Sequence, residues 1–558
     1  MRFFAAEVPA TGDVRLVADD GAEWRGTLPG MVAELGRVAK TMRREHLRVW
    51  VRGMDDAARR CVVEGVELGA GDLRLDDAGV GSISLGARVR LVSPGPLVPG
   101  QVLDEMVDDA AELLRVCDRV QRSICDALPV DPATSLGRMA GEGVAALGRR
   151  WTYPEPQGGP ITEAARECLH GGLCEVWHDG ESVAVDGAQD FPRDWFGEPG
   201  EILPAGWTLR DEDRSSAYAA EAARPLPSVW GPAYCDAGAA GGALVLASVD
   251  LEAWSGVALP VRMRAGRTVR QIAATRGKWR GWWSSPVLDY AATRGAKVEI
   301  ETAIGWKHAD DYLALGMDRL FQAKQRHARG TVERAALTAA MQRAVGRLAR
   351  RDGVDSLVDA DDFGRMTSNE LQAAGIVRDL GRFGRWALVR KEPGPETPRG
   401  TCPVWPAFVV GRAWVSLCER IEAIKAIGGR PLYADTDGIL WAKAPGPALE
   451  LGDGAGAWQL RNLPEWAWCE RAKLYLRGTG HTIAASASAG IPRADLLWYL
   501  EGGGAPCRRE SLREQAARRA TEPQEVKSWS ERKTRTKPTQ PAPKLKPSPR
   551  ASKRQSTR

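Results

Sequence analysis

The chain has 558 residues, 44% hydrophobic and 27% charged, an ordinary soluble composition too long for one core, so roughly two to four domains are expected. No apolar run approaches the roughly 18 residues of a bilayer crossing, and the early acid Glu7 interrupts any secretory leader, so a cytoplasmic protein without a membrane partner is expected. The net charge of +5 is uneven: from Lys527 to Arg558 eleven Lys and Arg face the single acid Glu531, a tail of +10 on a body of −5.

The ten cysteines contain no Cys-x-x-Cys pair and the six histidines no His-x-x-x-His spacing, which argues against a zinc site; the cysteines read as reduced, small apolar residues.

Taken in chain order, residues 1–150 alternate strand-like runs such as Leu47-Arg48-Val49-Trp50-Val51 with a helical run from Asp104 to Leu128, an α/β domain. A Pro/Gly-rich stretch from Trp151 to Pro160 is a linker. A second α/β body follows to about 480, then a helical stretch to about 520. Within it, Trp207 to Tyr218 reads as a strand, a turn and a helix. Leu313 to Arg329 is amphipathic and ends at Gly330; Thr331 can cap a second helix from Val332 to Arg351, predicting an antiparallel hairpin. Trp405 to Ile427 is a long helix stopped by Gly428-Gly429. A strand, Arg430 to Tyr433, then delivers Asp435 and Asp437 into a tight turn, and Gly438 to Lys443 returns. The tail, rich in Pro, Ser, Thr and Gln, is expected to be disordered. It either attracts phosphates without regard to sequence or serves only to keep the chain soluble.

Two acids one residue apart at a hairpin tip repel unless a cation sits between them. That arrangement suits phosphoryl transfer, in which two Mg²⁺ ions serve the attacking and leaving oxygens and carboxylates are the matching hard ligands. Asp-x-Asp alone fits a solvated acidic turn equally well, but apolar Pro431-Leu432 and Ile439-Leu440-Trp441 on either side imply a buried hairpin.

The segment Tyr433-Ala434-Asp435-Thr436-Asp437-Gly438 resembles the Tyr-x-Asp-Thr-Asp-Ser palm motif of family B DNA polymerases. Upstream, Asp213-Arg214-Ser215-Ser216-Ala217-Tyr218-Ala219 resembles the family's Asp-x-x-Ser-Leu-Tyr-Pro, with Ala217 and Ala219 in place of Leu and Pro. The resemblance implies that Asp213, Asp435 and Asp437 hold two Mg²⁺ ions, with Mn²⁺ as a substitute. It also puts Arg214, Ser216 and Tyr218 at the nucleotide, Tyr218 under the sugar, where it excludes a 2′-hydroxyl. The residue-level alternative for Asp213 is a helix N-cap. Leu169-His170-Gly171-Gly172 resembles the Tyr-x-Gly-Gly element of the protein-primed branch, which implies DNA contact at Gly171 and Gly172; a plain turn explains the glycines as well. Lys473-Leu474-Tyr475 resembles Lys-x-Tyr, which holds the primer end; alternation puts Lys473 and Tyr475 on one strand face, and a solvated face is the other reading.

Two parts depart from the pattern. In the fingers motif, Lys-x-x-x-Asn-Ser-x-Tyr-Gly, Thr338 falls at the lysine, Gln342 at the asparagine, Arg343 at the serine and Val345 at the tyrosine. Arg326 and Arg334 are the cations offered to the triphosphate instead, although a surface role fits them too. In the exonuclease motifs only Glu7 remains of Asp-x-Glu, Arg52-Gly53-Met54-Asp55 lacks the Asn, and Leu114 with Asp118 stands for Tyr-x-x-x-Asp.

The resemblance therefore implies an α/β multidomain right-hand polymerase (palm, fingers, thumb) preceded by a ribonuclease H-like exonuclease-type domain without proofreading. The expected boundaries are 1–150 for the degenerate exonuclease domain, 161–235 and 401–480 for the palm, and 236–310 and 352–400 for insertions. The fingers hairpin would span 311–351, a thumb-like helical region 481–522 and the tail 523–558. Implied partners are primer-template DNA, dNTPs and a priming protein. Two other readings stay open: a polymerase-derived DNA-binding accessory protein, and a template-independent nucleotidyltransferase.

Overall fold

The computed structural model describes residues 4–8, 13–18, 21–41, 47–52, 73–76, 79–85, 89–92, 109–131, 136–147, 159–170, 173–176, 182–187, 200–230, 233–265, 268–349, 355–374, 376–383, 386–391, 401–471, 474–479 and 482–488. Strand Thr208–Arg214 lies second in a five-stranded antiparallel sheet. The order is Trp458–Asn462, Thr208–Arg214, Gly438–Lys443, Arg430–Asp435 and Cys174–Val176. Alternation along Gly438–Lys443 turns Ile439 and Trp441 to one face, onto Trp414, Leu417 and Ile421 of the long helix Val404–Ala426. Leu440 and Ala442 turn to the other, where they meet Val183, Ala467 and Cys469 of a second five-stranded sheet. The carboxylate-bearing sheet is thus a middle layer between a helix and a sheet.

Thr208–Arg214 carries charge into that layer. Glu212, fully buried, faces the helix side and accepts from Arg420 of Val404–Ala426 at 3.1 Å. Asp211, 2% exposed, faces the second sheet and pairs with Arg477 of Leu474–Thr479 at 2.6 Å. Burial of a lone charge is costly, so each acid fixes the position of an arginine from a different layer.

Above this sheet stand two antiparallel helices, Ala314–Gln325 and Val332–Leu348. The first stops before the expected Arg329. Thr331 caps the second helix by accepting from the Arg334 N–H and must be extended (φ −80°, ψ 150°) to do so, while Gly330 turns the chain at φ 85°. The hairpin shares one core with helix Ala110–Ala127: Val116, Val120 and Ile124 belong to the same buried cluster as Leu320, Leu337 and Met341. Residues 243–305 form a three-stranded sheet beside a hairpin, Leu259–Ala265 with Thr268–Ala274.

The N-terminal sheet departs from a self-contained 1–150 unit. Among the described residues it has ten strands, and three of them, Asp355–Asp359, Ile376–Phe383 and Trp386–Lys391, come from the stretch expected as an insertion; Ser356 pairs opposite Arg74. At the other end, Thr482–Ser488 is a strand on Leu474–Thr479, where a helical region was expected. Ladder pairing overrides the helix propensity of its alanines. The rest of 481–522 and the tail 523–558 lie outside the described residues. Among the described residues no helix is long and apolar enough to cross a membrane.

Replacing Arg420 by Met should leave Glu212 with only its in-strand partner Arg210, whose Nε lies 3.0 Å from Glu212 Oε1, and lower stability by about 2 kcal/mol, read as a drop in the urea midpoint at unchanged m-value. The double variant with Glu212→Leu should recover only part of that loss, because it also takes the partner from the mostly buried Arg210.

Candidate active site

The tight turn after Arg430–Asp435 is held by three backbone hydrogen bonds. The Asp437 N–H donates to the Asp435 carbonyl (2.6 Å), the Thr436 N–H to Leu173 (2.7 Å), and the Arg214 N–H to the Asp437 carbonyl (2.7 Å). The last bond ties the turn to the end of strand Thr208–Arg214, where Asp213 lies opposite Gly438. Among the described residues the non-glycine positive φ angles are those of Ser216 (51°) and Thr436 (62°). Both adjoin these acids, and strained backbone of this kind persists where surrounding bonds over-determine it. Asp213 sits in the strand, so the N-cap alternative fails: the short helix Ala217–Ala222 starts at Ser216.

Asp213, Asp435 and Asp437 meet at one end of the sheet, half-buried. Burial first, then the Asp213 charge, pushes the Asp437 carboxyl up to about 7; Arg461 opposes this and Asp435 adds to it. Burial also raises Asp213, against the pull of Arg461, whose guanidinium lies 2.8 Å from the Asp213 carboxylate. Asp435 accepts from the Tyr433 hydroxyl (3.2 Å) and from Thr436 Oγ1 (3.1 Å). Asp211 is a fourth acid nearby, raised by burial and opposed by Arg477 and Arg461.

Asp213 and Asp437 open onto a cleft of about 450 Å³ between sheet and helical hairpin, within the size range of small-ligand sites. Its walls include Asp213, Ser216, Tyr218, Lys324, Gln342 and Arg461. A smaller cavity of about 260 Å³ adjoins it, lined by Asp435, Asp437, Tyr433 and Tyr475 among others. The Tyr475 ring lies 4.5 Å from that of Tyr433, tilted by 41°.

The sequence-expected residues distribute unevenly. Ser216, Tyr218, Arg334 and Gln342 line the cleft, but the Arg334 guanidinium also donates to the Lys324 (3.1 Å) and His327 (2.9 Å) carbonyls and so closes the hairpin. The Arg214 side chain turns to Glu221 (2.6 Å) and the Gly456 carbonyl (3.0 Å), leaving its backbone at the site. Arg326 is exposed past the end of its helix and is not among the cleft-lining residues. Lys324, two residues earlier, is. It is 9% exposed, donates to Ser216 Oγ at 2.9 Å, and is held below the ordinary lysine range by burial and then by Arg334. Its place on the apolar stripe Met317, Leu320, Phe321, Lys324 was the legible cue. Gly171, Gly172 and Lys473 lie outside the described residues.

Among the described residues no three His, Cys, Asp or Glu side chains are arranged as a ready metal-binding group. The donor chemistry nonetheless fits a hard divalent cation. Burial raises both Asp437 and Asp213, the Asp213 charge raises Asp437 further, and a cation is the partner that would favour their ionised forms, as the Arg461 guanidinium already does at Asp213.

No family model matches the chain, and no curated protein does. Among solved structures, phi29 DNA polymerase complexed with primer-template DNA and incoming nucleotide substrates superposes with a TM-score of 0.60 at 12% identity, over 88% of this chain and 90% of that one. The chain has the fold of phi29 DNA polymerase. Its orthorhombic crystal form gives a TM-score of 0.61 at 12% identity, and its complex with single-stranded DNA 0.60, each over 93% of that chain. At such identity the likeness is one of fold, and the carboxylate end of the sheet is read from this chain's own geometry.

Because the folded Asp437 carboxyl is raised, the stability tied to its protonated form is full below the ordinary carboxylate range and is lost as pH rises through about 7. In EDTA the melting temperature of the wild type should therefore fall more steeply between about pH 4 and 7 than that of Asp437→Asn, measured by circular dichroism.

Proposed function

We propose that the chain is a DNA-directed DNA polymerase that adds dNMPs to a primer 3′-hydroxyl and lacks proofreading. The observation that carries this reading is the meeting of Asp213, Asp435 and Asp437 at the floor of a cleft roofed by a helical hairpin, in the fold of phi29 DNA polymerase. Asp213, Asp435 and Asp437 would hold two Mg²⁺ ions, or Mn²⁺. When bound, the ions polarise the α-phosphate, favour the ionised primer hydroxyl and offset charge on the departing pyrophosphate.

The chain's own residues do the rest. Lys324 brings a nearly buried ammonium to the cleft wall, where its attraction for a triphosphate exceeds that of a surface lysine. It thereby takes the role left open by Thr338 on the second helix. Tyr218, on the cleft wall beside Asp213, gives the sugar a flat platform and excludes a 2′-hydroxyl. Tyr475, backed by Tyr433, faces the adjoining cavity and suits the primer terminus together with Lys473. The basic tail adds nonspecific DNA affinity, and a priming protein is the partner that the Leu169-His170-Gly171-Gly172 resemblance suggests.

Loss of proofreading rests on the N-terminal sheet. Ala5 and Ala6 are fully buried where the exonuclease acids would begin, and Asp118 is spent on an exposed ion pair with Arg122 at 2.6 Å. Too few ligands remain there for two metal ions.

Primer extension on a primed template with Mg²⁺ and dNTPs should proceed with wild type. It should fall by at least about a hundredfold in Asp437→Ala, since even partners behind a metal ligand are worth up to that, with DNA binding retained. A folded, DNA-binding wild type that extends nothing would favour the accessory-protein reading, and extension without a template would favour untemplated transfer.

A further inference from the structure

Three consecutive acids on strand Thr208–Arg214 each meet an arginine from a separate element, and the three pairs differ in one respect. Glu212 with Arg420 and Asp211 with Arg477 are buried on both sides, with side-chain exposures of 0% and 8%, and 3% and 7%. Asp213 with Arg461 is not: the acid is 17% exposed and the guanidinium 52%. Arg420 is enclosed by the fold, and Arg477 reaches only the smaller cavity. Arg461 stands on the sheet's edge strand, Trp458–Asn462, and borders both the main cleft and the adjoining cavity.

A half-exposed guanidinium leaves its partner at small cost, because water replaces the lost bonds. The register puts it where leaving is easy. Gln459 lies opposite Asp213 and Leu460 opposite Glu212, and the ladder is bulged between Glu212 and Asp211, so Arg461 approaches the site from an irregular edge. A divalent cation on Asp213 and Asp437 would repel it. The same cleft wall holds Lys324 and Arg334, the cations that a phosphate chain would meet.

We infer that Arg461 is an exchangeable counterion: it neutralises Asp213 in the empty cleft, yields that carboxylate to the divalent cation, and then takes a phosphate oxygen of the incoming nucleotide. This rests on the reading of the cleft as a metal–nucleotide site. The exchange keeps the carboxylates ordered before substrate arrives and couples metal entry to nucleotide capture. Arginine suits both halves, because its planar fork matches carboxylate and phosphate alike.

The test is Mn²⁺ binding to the full chain without nucleotide, followed by electron paramagnetic resonance, in wild type, Arg461→Gln, Arg461→Lys and Asp437→Asn. Arg461→Gln should bind Mn²⁺ about fivefold more tightly, the upper end for a part-exposed ion pair, and Arg461→Lys should stay near wild type. Asp437→Asn should bind more weakly. With Ca²⁺ in place of Mg²⁺, Arg461→Gln should bind a dNTP about tenfold more weakly than wild type, as loss of a charge-assisted phosphate contact predicts. Unchanged Mn²⁺ affinity in Arg461→Gln, with Asp437→Asn weakened, would overturn the counterion role and leave the metal site standing. Tighter Mn²⁺ with unchanged dNTP affinity would overturn the exchange. Absence of Mn²⁺ binding in every variant would overturn the metal-site reading and this inference with it.

Discussion

Everything near the cleft depends on how one strand carries three adjacent negative charges through a protein interior. Asp211, Glu212 and Asp213 alternate in direction, so no single partner can serve them. The helix supplies Arg420, the second sheet Arg477 and the edge strand Arg461. Glu212 keeps a second partner in Arg210 of its own strand, so the cross-layer pairs fix geometry more than they add stability. Here they lock the strand against both neighbouring layers and set the height at which Asp213 emerges.

That height matters because the opposing turn is also constrained. The Asp437 carbonyl accepts from the Arg214 backbone, and the turn is pinned to Leu173, so the two acid-bearing segments cannot drift apart separately. Burial, and then the nearby Asp213 charge, raise the Asp437 carboxyl, so the place resists the ionised form of its own acid. Backbone bonds and layer packing hold the two segments in place, while Asp213 pairs with Arg461 and Asp435 accepts from Tyr433 and Thr436.

Much of this was legible in the sequence. The Asp435-Thr436-Asp437 hairpin, the strand leading to Asp213 and the capped helix pair follow from alternation, turn residues and Thr331, which are local properties. What was missed is nonlocal. Arg461 and Arg477 look like ordinary strand arginines until the ladders place them against acids some 250 residues earlier. Lys324 rather than Arg326 reaches the cleft because the packing of the hairpin buries it, which the position of a charge near a helix end does not reveal. The strand Thr482–Ser488 was missed because its alanines suit a helix and only the neighbouring ladder says otherwise.

The ten-stranded sheet also orders events during synthesis. Strand Leu73–Asp76 finds its neighbour, Asp355–Asp359, only after the cleft's hairpin has been made. On the ribosome the early strands must wait with an open edge while roughly 280 residues follow, a loop whose closure is entropically slow. Once closed, the N-terminal layer is a spliced part of the rest and not an appendage. Trimming it away would bare the edge of strand Asp355–Asp359 and invite self-association, which gives the chain a reason to keep the layer.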